Sequence, residues 1–198
     1  AGMVPAALGS DTGGSVRNPA SCCGIVGIKP TYGRVSRIGV VPLSFSLDNV
    51  GPLTRTVEDN ALMLQTIAGH DPKDPASAPR PVDDYMDSLK SGVKGLKIGL
   101  IRHFYNEDMI ADEEMTAGIE NAAKLLESMG AEVREIRLPP LSQYAACNRV
   151  ILLSEAYAIH QKDLQTRPGD YSATTRRRLL PGAFMSGADY VNATRMRE

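Results

Sequence analysis

An α/β chain is predicted from three observations. Residues 96–138 read as strand, helix, strand. The apolar run Leu96–Ile101 comes first, then Met115, Ile119, Ala122, Leu126 and Met129 at helical spacing within Asp112–Met129, then Ala131–Leu138. A longer, largely apolar helix is predicted over Ser142–Leu164. Residues 1–55 instead carry Gly, Ser, Thr and Pro around short runs at Gly24–Ile28, Arg34–Ser36, Val40–Val41 and Val50–Leu53. That pattern predicts short strands packed closely, with glycines where backbone meets backbone.

The remaining elements follow from local signals. Thr56-Val57-Glu58-Asp59 has the form of a capping box with Asp in place of Glu or Gln, and Gly69 supplies a stop. Residues 71–94 hold four prolines and read as a wrapping surface loop. Gly130 ends the helix before it, and Ser186-Gly187-Ala188-Asp189 opens a last helix that runs to Glu198. The expected organisation is a single partial domain over 1–198. Its segments are 1–69, a Pro-rich loop at 70–95, and a βαβ unit with helices at 96–198. The first five residues show no charged or apolar leader and no initiator methionine, so the chain reads as an incomplete middle fragment.

Composition excludes several function classes. The 198 residues are 42% apolar and 23% charged with a net charge of −1, so no global field recruits nucleic acid or an anionic membrane. No apolar run approaches the roughly 20 residues of a membrane span. Three cysteines, two of them adjacent at Cys22 and Cys23, make no disulfide framework or zinc spacing and read as small buried thiols.

The chemistry-bearing stretch is Gly9-Ser10-Asp11-Thr12-Gly13-Gly14-Ser15-Val16-Arg17-Asn18-Pro19-Ala20. It reads as a glycine-rich turn presenting backbone N–H groups beside a hydroxyl, suited to an anion or oxyanion. A phosphate loop fails because Ser15 stands where lysine is required. A hydrolase elbow fails because Arg17 takes the final glycine position. An aspartic-protease reading of Asp11-Thr12-Gly13 has one such motif where two are needed, and no apolar strand is expected to lead into it. A purely structural turn closed by an Asp11–Arg17 ion pair stays open.

This run, extended back through Ala6-Ala7-Leu8, with Cys23-Gly24-Ile25-Val26-Gly27-Ile28-Lys29-Pro30-Thr31-Tyr32-Gly33-Arg34-Val35-Ser36, Ser46-Leu47-Asp48, Gly51–Asp59 and Gly69–Pro75, closely resembles the amidase signature family. Beyond residue 95 the likeness is one of pattern. The resemblance implies a mixed β-sheet flanked by helices. It also implies amide hydrolysis, or ammonia release for transfer, through a serine acyl-enzyme and a Ser–cis-Ser–Lys triad. By the motif, Ser15 is the nucleophile. The N–H groups of Thr12, Gly13, Gly14 and Ser15 form the oxyanion hole. Asp11 and Arg17 brace the loop, and Ser10 supports the cis-serine. No metal or other cofactor is implied.

The expected partner is a small-molecule amide, with no direct nucleic acid contact, no membrane, a homo-oligomer left open and a cytoplasmic setting. The chain departs from the family pattern in lacking the Gly-Ser-Ser-Gly-Gly run and a credible catalytic lysine. As it stands, it reads as inactive. Leu153-Ser154-Glu155-Ala156 and the Arg-rich Thr175–Leu180 lean towards a stand-alone amidase. The alternatives are the A subunit of a tRNA-dependent amidotransferase and a non-catalytic truncated homologue. His70, His103 and His160 lack partners for a Ser-His-Asp reading. Arg176-Arg177-Arg178 reads as a solvated face. Tyr171 with Pro168–Gly187 is a candidate for the acyl pocket by position alone.

Overall fold

The computed structural model describes residues 2–197, Ser88 by its backbone only. It divides into two compact units, Ala1–Leu89 with Asn148–Glu198, and Lys90–Cys147. The C-terminal helices therefore join the first unit rather than the βαβ segment.

The first unit is built on three antiparallel strands in the order β1 (Ala6–Asp11), β3 (Asn49–Thr54), β2 (Val26–Gly27). The expected strand at Val50–Leu53 is the middle strand. β1 differs from expectation: it runs straight into Asp11-Thr12-Gly13, with Asp11 opposite Asn49. Its Gly, Ser and Ala content hid it, because pairing with β3 rather than an apolar side-chain pattern makes it a strand. The runs Arg34–Ser36 and Val40–Val41 are not strands, and only Val35 makes an isolated bridge, to Ala68.

Close approach explains two glycines. A Cβ on Gly51 would lie 2.0 Å from the Ile28 carbonyl oxygen, and one on Gly27 would lie 2.6 Å from the Ala20 Cβ. Helix α1 (Arg17–Cys23) packs beside them, with Val16 and Ala20 buried. It ends at Gly24, φ 61°, where Gly24 N–H reaches Ser21 O and Ile25 N–H reaches Ala20 O. That pair of reversed bonds satisfies the last carbonyls. Cys22 and Cys23 lie on the exposed side of α1 and Cys147 is half-buried, none of them in a disulfide, so the expectation of buried thiols fails for the pair.

Helix α2 (Val57–Ile67) starts as predicted, with the Thr56 hydroxyl accepting the Asp59 amide, and stops two residues before Gly69. Its buried Asn60 donates to Thr54 Oγ1 and the Pro52 carbonyl, tying the helix to β3. Val35, Val50 and Leu64 form the core beneath it. The Pro-rich segment includes a short helix, α3 (Tyr85–Ser88). Buried Asp74 ties the start of that segment to Arg37 by accepting from its amide and guanidinium, and Arg37 holds the Asp74 carboxyl down at about 2.

The second unit is a parallel pair, β4 (Lys97–Leu100) and β5 (Glu132–Glu135), joined through helix α4 (Glu113–Ser128). Asp112 caps α4 by accepting the Met115 amide, and Gly130, at φ 94°, follows its end. The strand–helix–strand reading is thus realised. Helix α5 (Leu141–Thr166) runs on from there, and from Asn148 onward it belongs to the first unit. Helices α6 (Ala173–Leu179) and α7 (Gly187–Arg197) complete that unit. Ser186 and Asp189 cap α7 reciprocally, each side chain reaching the other's amide. No helix among the described residues is long and apolar enough to cross a membrane.

Candidate active site

The turn after β1 is organised by one carboxylate. Asp11 is fully buried and accepts from Gly14 N–H at 2.7 Å, Val16 N–H at 3.1 Å and Arg17 N–H at 3.2 Å. The Arg17 guanidinium adds two parallel bonds, Nε at 3.0 Å and Nη2 at 2.9 Å. Burial pushes the Asp11 carboxyl up, but these donors outweigh it and hold it at about 2. A bidentate charge-assisted pair of this kind fixes orientation as well as energy.

Ser15 lies exposed within this brace, and its hydroxyl has no hydrogen-bond partner among the described residues. The N–H of Gly14, grouped with the oxyanion donors in the sequence reading, is turned onto Asp11 Oδ1 instead. Only a residue free to adopt Gly14's φ of 127° can make that inward turn without strain.

Thr12 is held from other elements. Its hydroxyl donates to Asp48 Oδ1 at 2.5 Å, and its carbonyl accepts from Asn148 Nδ2 at 3.4 Å. Asp48 Oδ2 also takes the amides of Leu43 and Ser44, at 2.8 and 2.9 Å. Glu155, buried on α5, accepts from the Ser44 hydroxyl, the Ser46 amide and hydroxyl, and the Tyr190 phenol. Burial raises the Glu155 carboxyl, but these donors prevail and hold it below its ordinary value.

A cavity of about 330 Å³ opens over the turn, lined by Thr12 and Gly13, Arg17 and Lys29, and Tyr32 and Asn148 among others. A smaller cavity of about 170 Å³ takes exposed Ser10 into its lining with Asp48 and Asn49. Neither is lined by residues 168–187. Tyr171 instead packs on His160 and on the core cluster of Ala156, Leu164 and Leu179. The histidines have backbone duties: His70 meets Ser77 O, His103 meets Leu138 O, and His160 meets Pro42 O. Arg177 and Arg178 are exposed on α6, and half-exposed Arg176 donates to the Pro168 carbonyl.

Sequence reasoning assigned no role to Asp48, Asn148 or Glu155. Asp48 stood within the Ser46-Leu47-Asp48 motif, and Glu155 within the segment Leu153-Ser154-Glu155-Ala156.

The Amidase family model matches residues 1–196. The chain belongs to the amidase family. The A subunit of the glutamyl-tRNA(Gln) amidotransferase from a Sulfurihydrogenibium species is 43% identical over 211 residues, covering 97% of this chain and 43% of that protein. Among solved structures, the fold matches a chain at a TM-score of 0.89 and 37% identity, over 99% of this chain and 42% of the other. That structure is described as an unexpected vestigial protein complex revealing the evolutionary origins of an s-triazine catabolic enzyme. The native peptide amidase of Stenotrophomonas maltophilia matches at a TM-score of 0.78 and 32% identity, over 96% of this chain and 43% of its own. The chain thus spans about two-fifths of the length of the curated relatives it matches.

Proposed function

We propose that Ser15 is the nucleophile of an amide-cleaving enzyme and that the scissile amide sits in the cavity over Thr12 and Gly13. One observation carries the reading. An exposed serine hydroxyl without an internal partner among the described residues stands inside a turn whose backbone a buried carboxylate has already fixed. The Ser15 oxygen attacks the amide carbonyl and its proton passes to a base. The resulting oxyanion accepts N–H bonds from Thr12, Gly13 and Ser15, the Gly14 amide being committed to Asp11. Collapse expels ammonia or an amine, and water then hydrolyses the ester.

The family resemblance assigns the base to a lysine acting through a second serine in a Gly-Ser-Ser-Gly-Gly run, which residues 1–198 do not contain. We therefore place that base outside these 198 residues, and Ser10 as a hydroxyl supporting the second serine. The isolated chain is then a site without its base.

The amide most favoured is glutamine, in the A subunit of an amidotransferase working beside its partner subunits in the cytoplasm. The names of relatives 41–43% identical support this form. The two segments that leaned towards a stand-alone enzyme have structural duties instead. Glu155 clamps the 44–46 loop, and Arg176 caps the Pro168 carbonyl.

The test uses the protein as its gene encodes it, assayed against glutamine and a panel of aryl and alkyl amides, with a fluorophosphonate probe in parallel. Turnover and Ser15 labelling should both vanish in Ser15→Ala while the melting curve stays in place. Retention of more than a few per cent of the rate would sink the assignment. Absence of labelling in the wild type would favour a non-catalytic homologue.

A further inference from the structure

We propose that Asp48 is a positioning residue for the nucleophile turn, acting through the Thr12 hydroxyl, an inference that rests on Ser15 being the nucleophile. The turn has two halves, and Asp11 serves one. Its carboxylate reaches the amides of Gly14, Val16 and Arg17, all at or beyond the Gly13–Gly14 peptide. None of its bonds fixes Thr12 or the Thr12–Gly13 peptide, whose N–H is a proposed oxyanion donor.

That peptide is held from Thr12. Its side chain is tied to Asp48, and both residues are buried. Its carbonyl is tied to Asn148. In a planar trans peptide the carbonyl and the next N–H point in opposite directions, so whatever holds the Thr12 carbonyl also aims the Gly13 N–H. Asp48 is itself immobilised by Leu43 and Ser44, and Glu155 pins that loop through Ser44 and Ser46. Two buried carboxylates in series thus carry the position of α5 into the donor half of the turn. A small error in donor direction weakens the stabilised oxyanion without weakening ground-state binding.

The experiment is a kinetic series on the protein as its gene encodes it. Thr12→Val keeps the shape and removes the hydroxyl. It should lower kcat by about tenfold to a hundredfold with KM changed by less than about threefold, since misplacement of this order costs about that much. Thr12→Ser should restore kcat to within about threefold of wild type, because only the donor is needed. Asp48→Asn should lower kcat likewise, and the double variant with Thr12→Val should be no slower than Asp48→Asn alone, as for groups acting as one unit.

A Thr12→Val enzyme with wild-type kcat would overturn the proposal. So would a loss confined to melting temperature, a failure of Thr12→Ser to rescue, or multiplicative losses in the double variant. Ser15→Ala run alongside separates the two levels. Activity in Ser15→Ala refutes the nucleophile reading. An inactive Ser15→Ala beside a fully active Thr12→Val refutes only the positioning role.

Discussion

The two units use carboxylates in opposite ways. In the first, Asp11, Asp48, Asp74 and Glu155 are buried and accept chiefly from backbone amides, hydroxyls and arginine. In the second, Glu120, Glu135 and Glu107 pair with Arg102 and Arg137 at or near the surface, where solvent competes with the pair. A buried carboxylate that takes several N–H groups fixes the path of a loop. A surface pair can be lost while the fold persists. The recognisable motifs fall where buried carboxylates shape loops, and fade in the second unit, whose βα pattern many sequences satisfy.

Glycine substitutions probe this contrast most severely. Gly51→Ala would drive a Cβ to 2.0 Å from the Ile28 carbonyl, in backbone that cannot yield cheaply. It should prevent folding of the first unit or destabilise it by several kcal/mol, on the order of the worst core substitutions. Thermal or denaturant unfolding checks this, and a variant within about 1 kcal/mol of wild type would show the strand spacing to be soft.

Arg17→Ala should have an intermediate effect. It strips two bonds from buried Asp11, but Arg17 is itself half exposed, so water replaces part of the pairing. A loss of about 1–3 kcal/mol is expected. The pH dependence sharpens it. Asp11 titrates at about 2 in the fold against 3.8 ordinarily, so its contribution is complete above about pH 4 and is lost as pH falls through 2. Without Arg17 the folded carboxyl titrates higher, and the acid limb of the melting curve should move up in pH. An unshifted limb would show that the backbone amides alone hold Asp11. An Arg17→Ala enzyme that melts like wild type yet is inactive would make Arg17 a direct participant in the chemistry.

Gly118→Ala in α4 is the mild counterpart. A Cβ there meets nothing within 4 Å, so helix propensity alone should stabilise by about 0.5–1 kcal/mol. A destabilised variant in the same unfolding assay would mean that α4 is packed on a side with no room for a methyl group.

What the sequence made legible was local. The caps at Thr56 and Ser186 and the glycine after α4 were readable because each satisfies backbone groups within a few residues of itself. The Asp11–Arg17 pair was readable for the same reason. β1 was missed because its residues are small and polar and only its partner makes it a strand. The Gly14 amide was grouped with the oxyanion donors because sequence shows that an N–H exists but not which way it points. Asp48 and Glu155 act on residues 36 and 111 positions away, beyond any periodicity or spacing rule.

The separation between Glu155 and Ser44 also has a meaning in time. As the chain is synthesised, the Asp11–Arg17 turn can close once Arg17 has emerged, since its partners all lie between those two residues. The loop that steadies Thr12 must wait for α5, 111 residues later. At about 5–20 residues per second that interval is on the order of ten seconds. During it the serine is already presented while its surroundings stay loose, so the nascent chain carries an exposed hydroxyl in an unfinished setting. Competence of the site is thereby tied to completion of a distant helix, and a ribosome stalled before Asn148 would leave a turn of the right shape steadied by Asp48 without Asn148 or Glu155 behind it.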